Sequence, residues 1–459
     1  MLQTLKNAWN TKEIRSKILF TLFILLLYRI GTVIPVPFVE ANSFASALDG
    51  TILEYMNTLS GGALATATLF ALGVSPYINA SIIIQLLAVV FPKLGEIAKT
   101  DKSKMNFITR IVTVLLAIVT AIGYYFLLKN SNALTKSATP GEGPVAWLYA
   151  IVIVACYCAG ASVIMWLAER INEKGIGNGI SLILFANIIS AIPSFIYQLI
   201  LLVATTYGKY SKNPWLYGIL ATVFAIVLVA IVVALIILVI WITGSERRIS
   251  VRYAKQIRGR KMYGGQNQNL PIKLNMTGVM PIIFASSIVS LVPTILAFCG
   301  VKQDNFWVRF FAADGVVYPV SLFLLIIGFA YFYTQITFDP IEVSNRIKNQ
   351  GGTISGIRQG KPTADFIKNV LNKVTLVGAL FLGFIAVFPV IAGPHIIQHI
   401  LNWFEGGLNQ GYGTSIDFSS LQSTFTFGGT TLLILVGVVL ETFRELEAQL
   451  TMRNYKGFL

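Results

Sequence analysis

The chain has 459 residues, 55% of them apolar and only 12% charged, with 35 Lys and Arg against 20 Asp and Glu and a net charge of +15. Soluble domains carry about 25% charged residues, so this composition excludes an ordinary water-soluble domain. Three cysteines (Cys156, Cys158, Cys299) and two histidines (His395, His399) imply neither a disulfide framework nor a metal site.

In chain order, apolar blocks fall near 18–34, 74–91, 107–128, 145–168, 180–204, 215–243, 276–299, 316–335, 374–392 and 428–443. A span needs roughly 20 apolar residues, and these blocks lack the alternation of barrel strands, so each is predicted to be a helix. The first is interrupted by Arg29 and the last is short. Basic residues precede the first block, but no small-residue cleavage site follows it, so the block reads as a retained span. Of the 35 Lys and Arg, six lie in odd-numbered connections (Lys129, Lys136, Lys209, Lys212, Lys302, Arg309) and Arg29 lies within the first block. The remainder fall at the termini and in the even-numbered connections. That asymmetry places both termini in the cytoplasm and agrees with an even number of spans.

The first connection, 35–73, carries Glu40, Asp49 and Glu54 and no basic residue. Its second half, Asn57 to Phe70, reads NTLSGGALATATLF, which is apolar but too short to cross. A re-entrant or lumen-lining helix is expected there. Gly61 and Gly62 each weaken such a helix by about 1 kcal/mol relative to Ala. Small residues offer little surface to anchor it, so it could leave its seat at modest cost. The alternative is an external loop with one helical turn.

The second span opens with GVSPYINASII (73–83) and the seventh with GVMPIIFASSI (278–288), identical at seven of eleven positions. Spans five apart cross in opposite directions. The pattern therefore predicts an inverted-topology repeat, with the functional site where the halves meet.

Ionisable groups at span centres are costly and mark ion pathways, yet they are nearly absent here. Arg29 is the main exception, read as a helix–helix or carbonyl contact near the outer end of the first span. Any pathway is thus apolar, and an apolar constriction can seal by dewetting. The stretch HIIQH lacks the Glu of a zinc-protease motif and, with Trp403 and Phe404, reads as an interfacial segment.

The cytoplasmic connection 244–275 carries Arg247, Arg248, Arg252, Lys255, Arg258, Arg260, Lys261 and Lys273 against Glu246 alone. The next, 338–372, holds Arg346, Lys348, Arg358, Lys361 and Lys368, with Arg358 between glycines in SGIRQGK. Positive-inside bias alone is one account. A surface meeting lipid headgroups, RNA phosphates or an acidic protein is the other.

LSGGALATATLFALGVSPYINASIIIQLL (59–87), GIGNGISLILFANI (175–188), ERRISVRYAKQ (246–256), LPIKLNMTGVMPIIFASSI (270–288), TLVGALFLGFI (375–385) and FGGTTLLILVGVVLE (427–441) occur in that order. Together they resemble the SecY family, the pore subunits of bacterial protein translocases. The resemblance implies an all-α clamshell of ten spans, with five-helix halves at 1–206 and 207–459 around an hourglass pore. It makes 57–70 a plug helix, with Asn57, Ser60, Gly61, Gly62, Ala63, Leu64 and Phe70. A pore ring maps to Ile78, Ile82, Ile180, Leu184, Ile283 and Ile434; Leu184 stands where relatives commonly carry Ile. A lateral gate lies between the second and seventh spans, with the third and eighth beside them and polar Gln85, Ser286 and Ser287 along it.

The implied function is a protein-conducting channel of the bacterial plasma membrane. It passes unfolded preproteins outward and releases apolar segments sideways into lipid. The implied partners are SecE, SecG and either the SecA motor or a ribosome. Those last two dock through the basic loops, where Arg358 matches the family's functional arginine and rRNA phosphates are natural contacts. The pore does no chemistry and needs no cofactor or metal. The rival is an inverted-repeat solute transporter, which requires a compact polar site at mid-membrane.

Overall fold

The computed structural model describes residues 2–40, 57, 60–131, 133–135, 146–209, 214–253, 256–258, 261–263, 267–298, 310, 315, 317–393, 399–400 and 428–456. A helix lies on every expected block: α2 (Lys12–Gly31), α3 (Ser75–Val90), α5 (Lys102–Asn130), α6 (Ala146–Lys174), α7 (Gly179–Lys209), α8 (Pro214–Gly244), α9 (Met280–Phe298), α10 (Val317–Thr337), α12 (Lys361–Ala392) and α13 (Gly428–Lys456). Shorter helices are α1 (Leu2–Asn10), α4 (Pro92–Thr100) and α11 (Pro340–Asn349). Among the described residues, seven helices are long and apolar enough to cross a membrane individually. Phe91 ends α3 in an extended conformation, as a residue before proline must, and the axis turns through 117° into α4. α13 runs well past the short apolar block. Beyond that block its Leu446 clusters with Ala8 of α1, Ile14 of α2 and Ile176 between α6 and α7, and Lys17 donates to Gln449 at 3.2 Å. The two ends of the chain therefore share one face of the bundle.

The inverted repeat is visible in backbone detail. Gly73 and Gly278 are both left-handed, at φ 57° and 66°, a conformation that favours glycine. The carbonyls of Val74 and Val279 accept from Ile78 and Ile283 at 3.0 and 3.1 Å, starting α3 and α9 alike. Four residues before each left-handed glycine, a carbonyl presses into a glycine of the fourth helix of its half. Leu69 O lies against Gly160 of α6 and Leu274 O against Gly378 of α12, leaving no room for a Cβ at either.

One apolar core runs through α2, α3, α6, α7, α8, α9, α10, α12 and α13. α8 contributes buried side chains to it near its C-terminal end, at Val239 and Ile242. It is the most apolar helix, yet only 11% of its span is buried, against 50% for α9 and α12. A helix apolar all round with little protein contact is one that faces lipid.

The helical class gains a small antiparallel sheet in the two basic loops. Its order is β4-β1-β5, with β1 (Glu246–Tyr253), β4 (Asn267–Lys273) and β5 (Gly352–Ile354). β1 alternates, burying Ile249 and Val251 while Arg248, Ser250 and Arg252 face out. The buried side rests on Ile272, Ile347, Ile354, Ile367 and Leu371. Pairing of Val251 with Ile354 ties the first loop to the second, so the two form one body. A separate hairpin, β2 (Gln256–Arg258) with β3 (Lys261–Tyr263), pairs Arg258 with Lys261.

Candidate functional site

All six residues assigned to the ring belong to one apolar cluster or pack against it. Ile78 and Ile82 come from α3, Ile180 and Leu184 from α7, Ile283 from α9 and Ile434 from α13. All but Ile180 are buried in the same apolar cluster, and Ile180 packs against it. The i,i+4 spacing of the α3 and α7 pairs puts both members of each on one helix face. The six are all aliphatic. β-Branched and leucine side chains can close on one another without leaving a polar atom inside.

The segment above the ring is not a regular helix in its described part. Asn57 is helical, whereas 60–74 run as consecutive turns. Gly61, Gly62 and Ala67 have φ of 70°, 88° and 47°, and a helix cannot continue through left-handed residues. Local caps replace the helical ladder. Asn57 Oδ1 accepts from Ala65 N at 2.9 Å and Ser60 Oγ from Leu64 N at 3.1 Å. Ser60, Ala63, Leu64 and Phe70 are buried.

This cap is held from outside itself. Leu69 N donates to Ile34 O at 2.9 Å and Val36 N to Ala67 O at 3.4 Å. Tyr124 of α5 donates to Leu64 O at 2.6 Å and Tyr157 of α6 to Ala67 O at 3.4 Å. Phe70 stacks on Tyr28 at 5.5 Å and 12°. A cavity of about 40 Å³ lies between the cap and the outer parts of α3, α5 and α9, lined by Leu64, Ala71, Ser75, Tyr124, Thr294 and Phe298.

Of the three polar residues expected at the seam between α3 and α9, one bridges helices. Gln85 Oε1 accepts from Tyr333 of α10 at 2.5 Å, while its Nε2 donates to Ser81 in its own helix at 2.8 Å. Ser286 is buried and donates to Ile283 O of its own helix at 3.0 Å. Ser287 is half-buried. Behind the seam, Phe284 of α9 and Phe329, Phe332 and Tyr333 of α10 form an aromatic cluster.

In the basic loops, Arg247, Arg248 and Arg252 are exposed on β1, with Arg248 bonded to Glu246 at 2.7 Å. Arg358 is exposed on the turn between β5 and α12, and its carbonyl accepts from Thr363. Lys273 is the least available of the basic residues. Burial, then the neighbouring Arg444, lowers its pKa, partly offset by Glu246. Lys255 and Arg260 lie outside the described residues, as do His395, Trp403, Phe404 and Cys299.

Sequence reasoning missed Tyr124, Tyr157 and Tyr333, whose hydroxyls bond the cap and the seam. The signal available was modest: a tyrosine buried in an apolar span must place its hydroxyl on an acceptor. It also missed the α5–α6 pair of Arg110 and Glu169, 2.8 Å apart. Arg29 Nη1 is buried, meets no hydrogen-bond acceptor among the described residues, and lies close to Gly61, as does Asn187 Oδ1 of α7.

Comparison with known proteins places these features in a family. The SecY family profile matches residues 68–443. The chain is 38% identical over its full length, and the relative's, to a protein translocase subunit SecY of Streptomyces galbus. It is 37% identical, again over both full lengths, to that of Mycobacterium bovis. A solved protein-conducting channel superposes with a TM-score of 0.59 at 19% identity, over 95% of this chain and 92% of the other. Sec61 from the canine ribosome–channel complex of the endoplasmic reticulum gives 0.55 at 17% identity, over 95% and 92%.

Proposed function

The chain belongs to the SecY family and is the protein-conducting channel of a Sec translocon, and from that premise we propose how its parts divide the work. The ring of Ile78, Ile82, Ile180, Leu184, Ile283 and Ile434 is the constriction through which an unfolded polypeptide passes. The observation that carries this is convergence: four helices, from both ends of the chain, deliver these six side chains to one cluster. Aliphatic side chains make no lasting bond with a passing peptide, and they exclude water and ions when nothing passes.

The cap at 57–70 is the plug over that ring, and the α3–α9 seam is the lateral gate. The halves 1–206 and 207–459 part along the seam to release apolar segments into lipid. Arg247, Arg248, Arg252 and Arg358 sit on a body built from both cytoplasmic loops, so a docked partner pulls on both together. The family's partners fit this arrangement: SecE and SecG in the membrane, and SecA or a ribosome on the basic face. The Sec61 relative solved on a ribosome supports the last of these. The location is the bacterial plasma membrane with both termini cytoplasmic, which agrees with the paired ends of α1 and α13.

Crosslinking tests the assignment. Cysteines at Ile78, Ile180 and Ile434 should each crosslink to a secretory chain stalled in transit, whereas one at Val223, on the exposed face of α8, should not. A stalled chain that reaches none of the three ring positions would sink it.

A further inference from the structure

Arg29 sits in the last turn of α2, where Leu26 and Ile30 face outward and are more than half exposed. Its own guanidinium turns inward instead, beneath the plug. Nη1 lies 2.7 Å from the point a Cβ would occupy on Gly61, and Asn187 Oδ1 of α7 lies 2.7 Å from the same point. Asn187 Nδ2 is anchored by Tyr28 Oη at 2.8 Å, and Tyr28 in turn carries Phe70. Gly61 therefore closes a polar pocket with its bare backbone, and any side chain there would strike both groups.

The arrangement has a cost that the other plug contacts lack. Tyr124, Tyr157 and the pairing to 34–36 all satisfy polar atoms when the plug is seated. Arg29 Nη1 does the reverse: seating the plug buries it with no acceptor among the described residues. A buried donor left without a partner opposes the state that buries it. When the plug lifts, the nitrogen is rehydrated and that opposition ends. Charged groups inside membrane proteins are expensive and are kept for function.

We propose that Arg29 is a positioning residue that biases the plug toward release, offsetting part of the grip of Tyr124, Tyr157 and Phe70. The proposal rests on reading 57–70 as the plug. It gives the resting channel a plug that is seated firmly enough to seal yet needs only a modest push to leave. Gly61 is the partner feature, because only a residue without a side chain can cover Arg29 and Asn187 this closely.

The experiment uses the complete channel complex in planar bilayers, reading the conductance evoked by increasing amounts of a synthetic signal peptide. Arg29→Met keeps the length and removes the charge. It should raise the half-maximal peptide concentration about 5- to 30-fold, the factor that one lost polar penalty of this size represents. Arg29→Lys should stay near the wild type. An unchanged or lowered half-maximal concentration for Arg29→Met overturns the proposal. In channels lacking 57–70, Arg29→Met should have no effect, and a persisting shift would mean that the arginine acts elsewhere. If deleting 57–70 leaves resting conductance untouched, the plug reading itself fails and takes the proposal with it.

A second pair decides the matter if Arg29→Met does not assemble. Gly61→Ala and Gly62→Ala place a methyl on similarly left-handed backbones, but only the first meets Arg29 and Asn187, while the second points into open space. Gly61→Ala should open at lower peptide concentrations than Gly62→Ala. Equal behaviour would overturn the contact.

Discussion

The stretches leading into α3 and into α9 share a left-handed glycine, a first helical turn and a carbonyl pressed into a glycine of the fourth helix of their half. Upstream they part company. Before Leu69 the chain builds the cap proposed as the plug, gripped by tyrosines from α5 and α6. Before Leu274 it builds β4, a strand of the sheet that carries the exposed arginines. On the reading proposed above, the shared part supplies ring and seam, where two equivalent walls are needed, and the unshared part supplies a seal in one half and a docking body in the other.

The glycine contacts are the most severe place to break the pair. Gly160→Leu and Gly378→Leu would each drive a side chain into a backbone carbonyl, of Leu69 and Leu274 respectively. Backbone cannot step aside as a flexible side chain can, and overpacking of this kind costs about 1–3 kcal/mol or more. Both variants should lose folded, monodisperse protein in detergent and melt at lower temperature by similar amounts. A normal melting temperature for one of them would show that its half does not need the contact.

Ring substitutions test the equivalence with less damage. Ile78→Asn and Ile283→Asn occupy matching positions, each buried and in the same cluster. Each puts an amide into an aliphatic seal, where an unpaired polar group costs about 1–3 kcal/mol and attracts water. Both should raise ion leak through resting vesicles and relax the choice of substrate, with the two effects of comparable size. Leak from only one of them would show that the ring is functionally lopsided despite its symmetric origin.

Much of this was legible in the chain. Block length located every long helix, and seven shared residues exposed the inverted repeat. The ring at 78/82 and 180/184 came from the family resemblance and has helical spacing. What was not legible depends on partners distant in sequence. Tyr124 reaches Leu64 across 60 residues, Tyr157 reaches Ala67 across 90, and Tyr333 reaches Gln85 across 248. Periodicity says that a tyrosine is buried, but not whose oxygen its hydroxyl will meet. The plug's turns were misread as helix because its composition is apolar and small, while Ala67 adopts a left-handed conformation that no propensity predicts for alanine. The sheet, by contrast, was there to be read: Ile249, Val251 and Tyr253 alternate with Arg248, Ser250 and Arg252, the period of a strand.

The smallest effect belongs to the seam, where one matched pair of positions on the two walls bonds differently. Gln85 on α3 accepts from Tyr333. The position matching it in the repeat is Ser290 on α9, whose hydroxyl donates to Ser287 O in its own helix at 2.9 Å. One wall therefore reaches across to α10, while its counterpart satisfies itself. Tyr333→Phe removes the hydroxyl and keeps the ring against Phe284 and Phe332, so it reports on the bond alone. A hydrogen bond of this kind contributes about 0.5–1.5 kcal/mol, which corresponds to at most roughly a tenfold change in the open fraction of the gate. Tyr333→Phe should let marginally hydrophobic test segments leave for the bilayer more often, measured as the fraction inserted across a graded series. Ser290→Ala should leave that fraction where it was. If the two variants shift insertion equally, the Gln85–Tyr333 bond is not what holds the seam, and closure rests on its apolar packing instead.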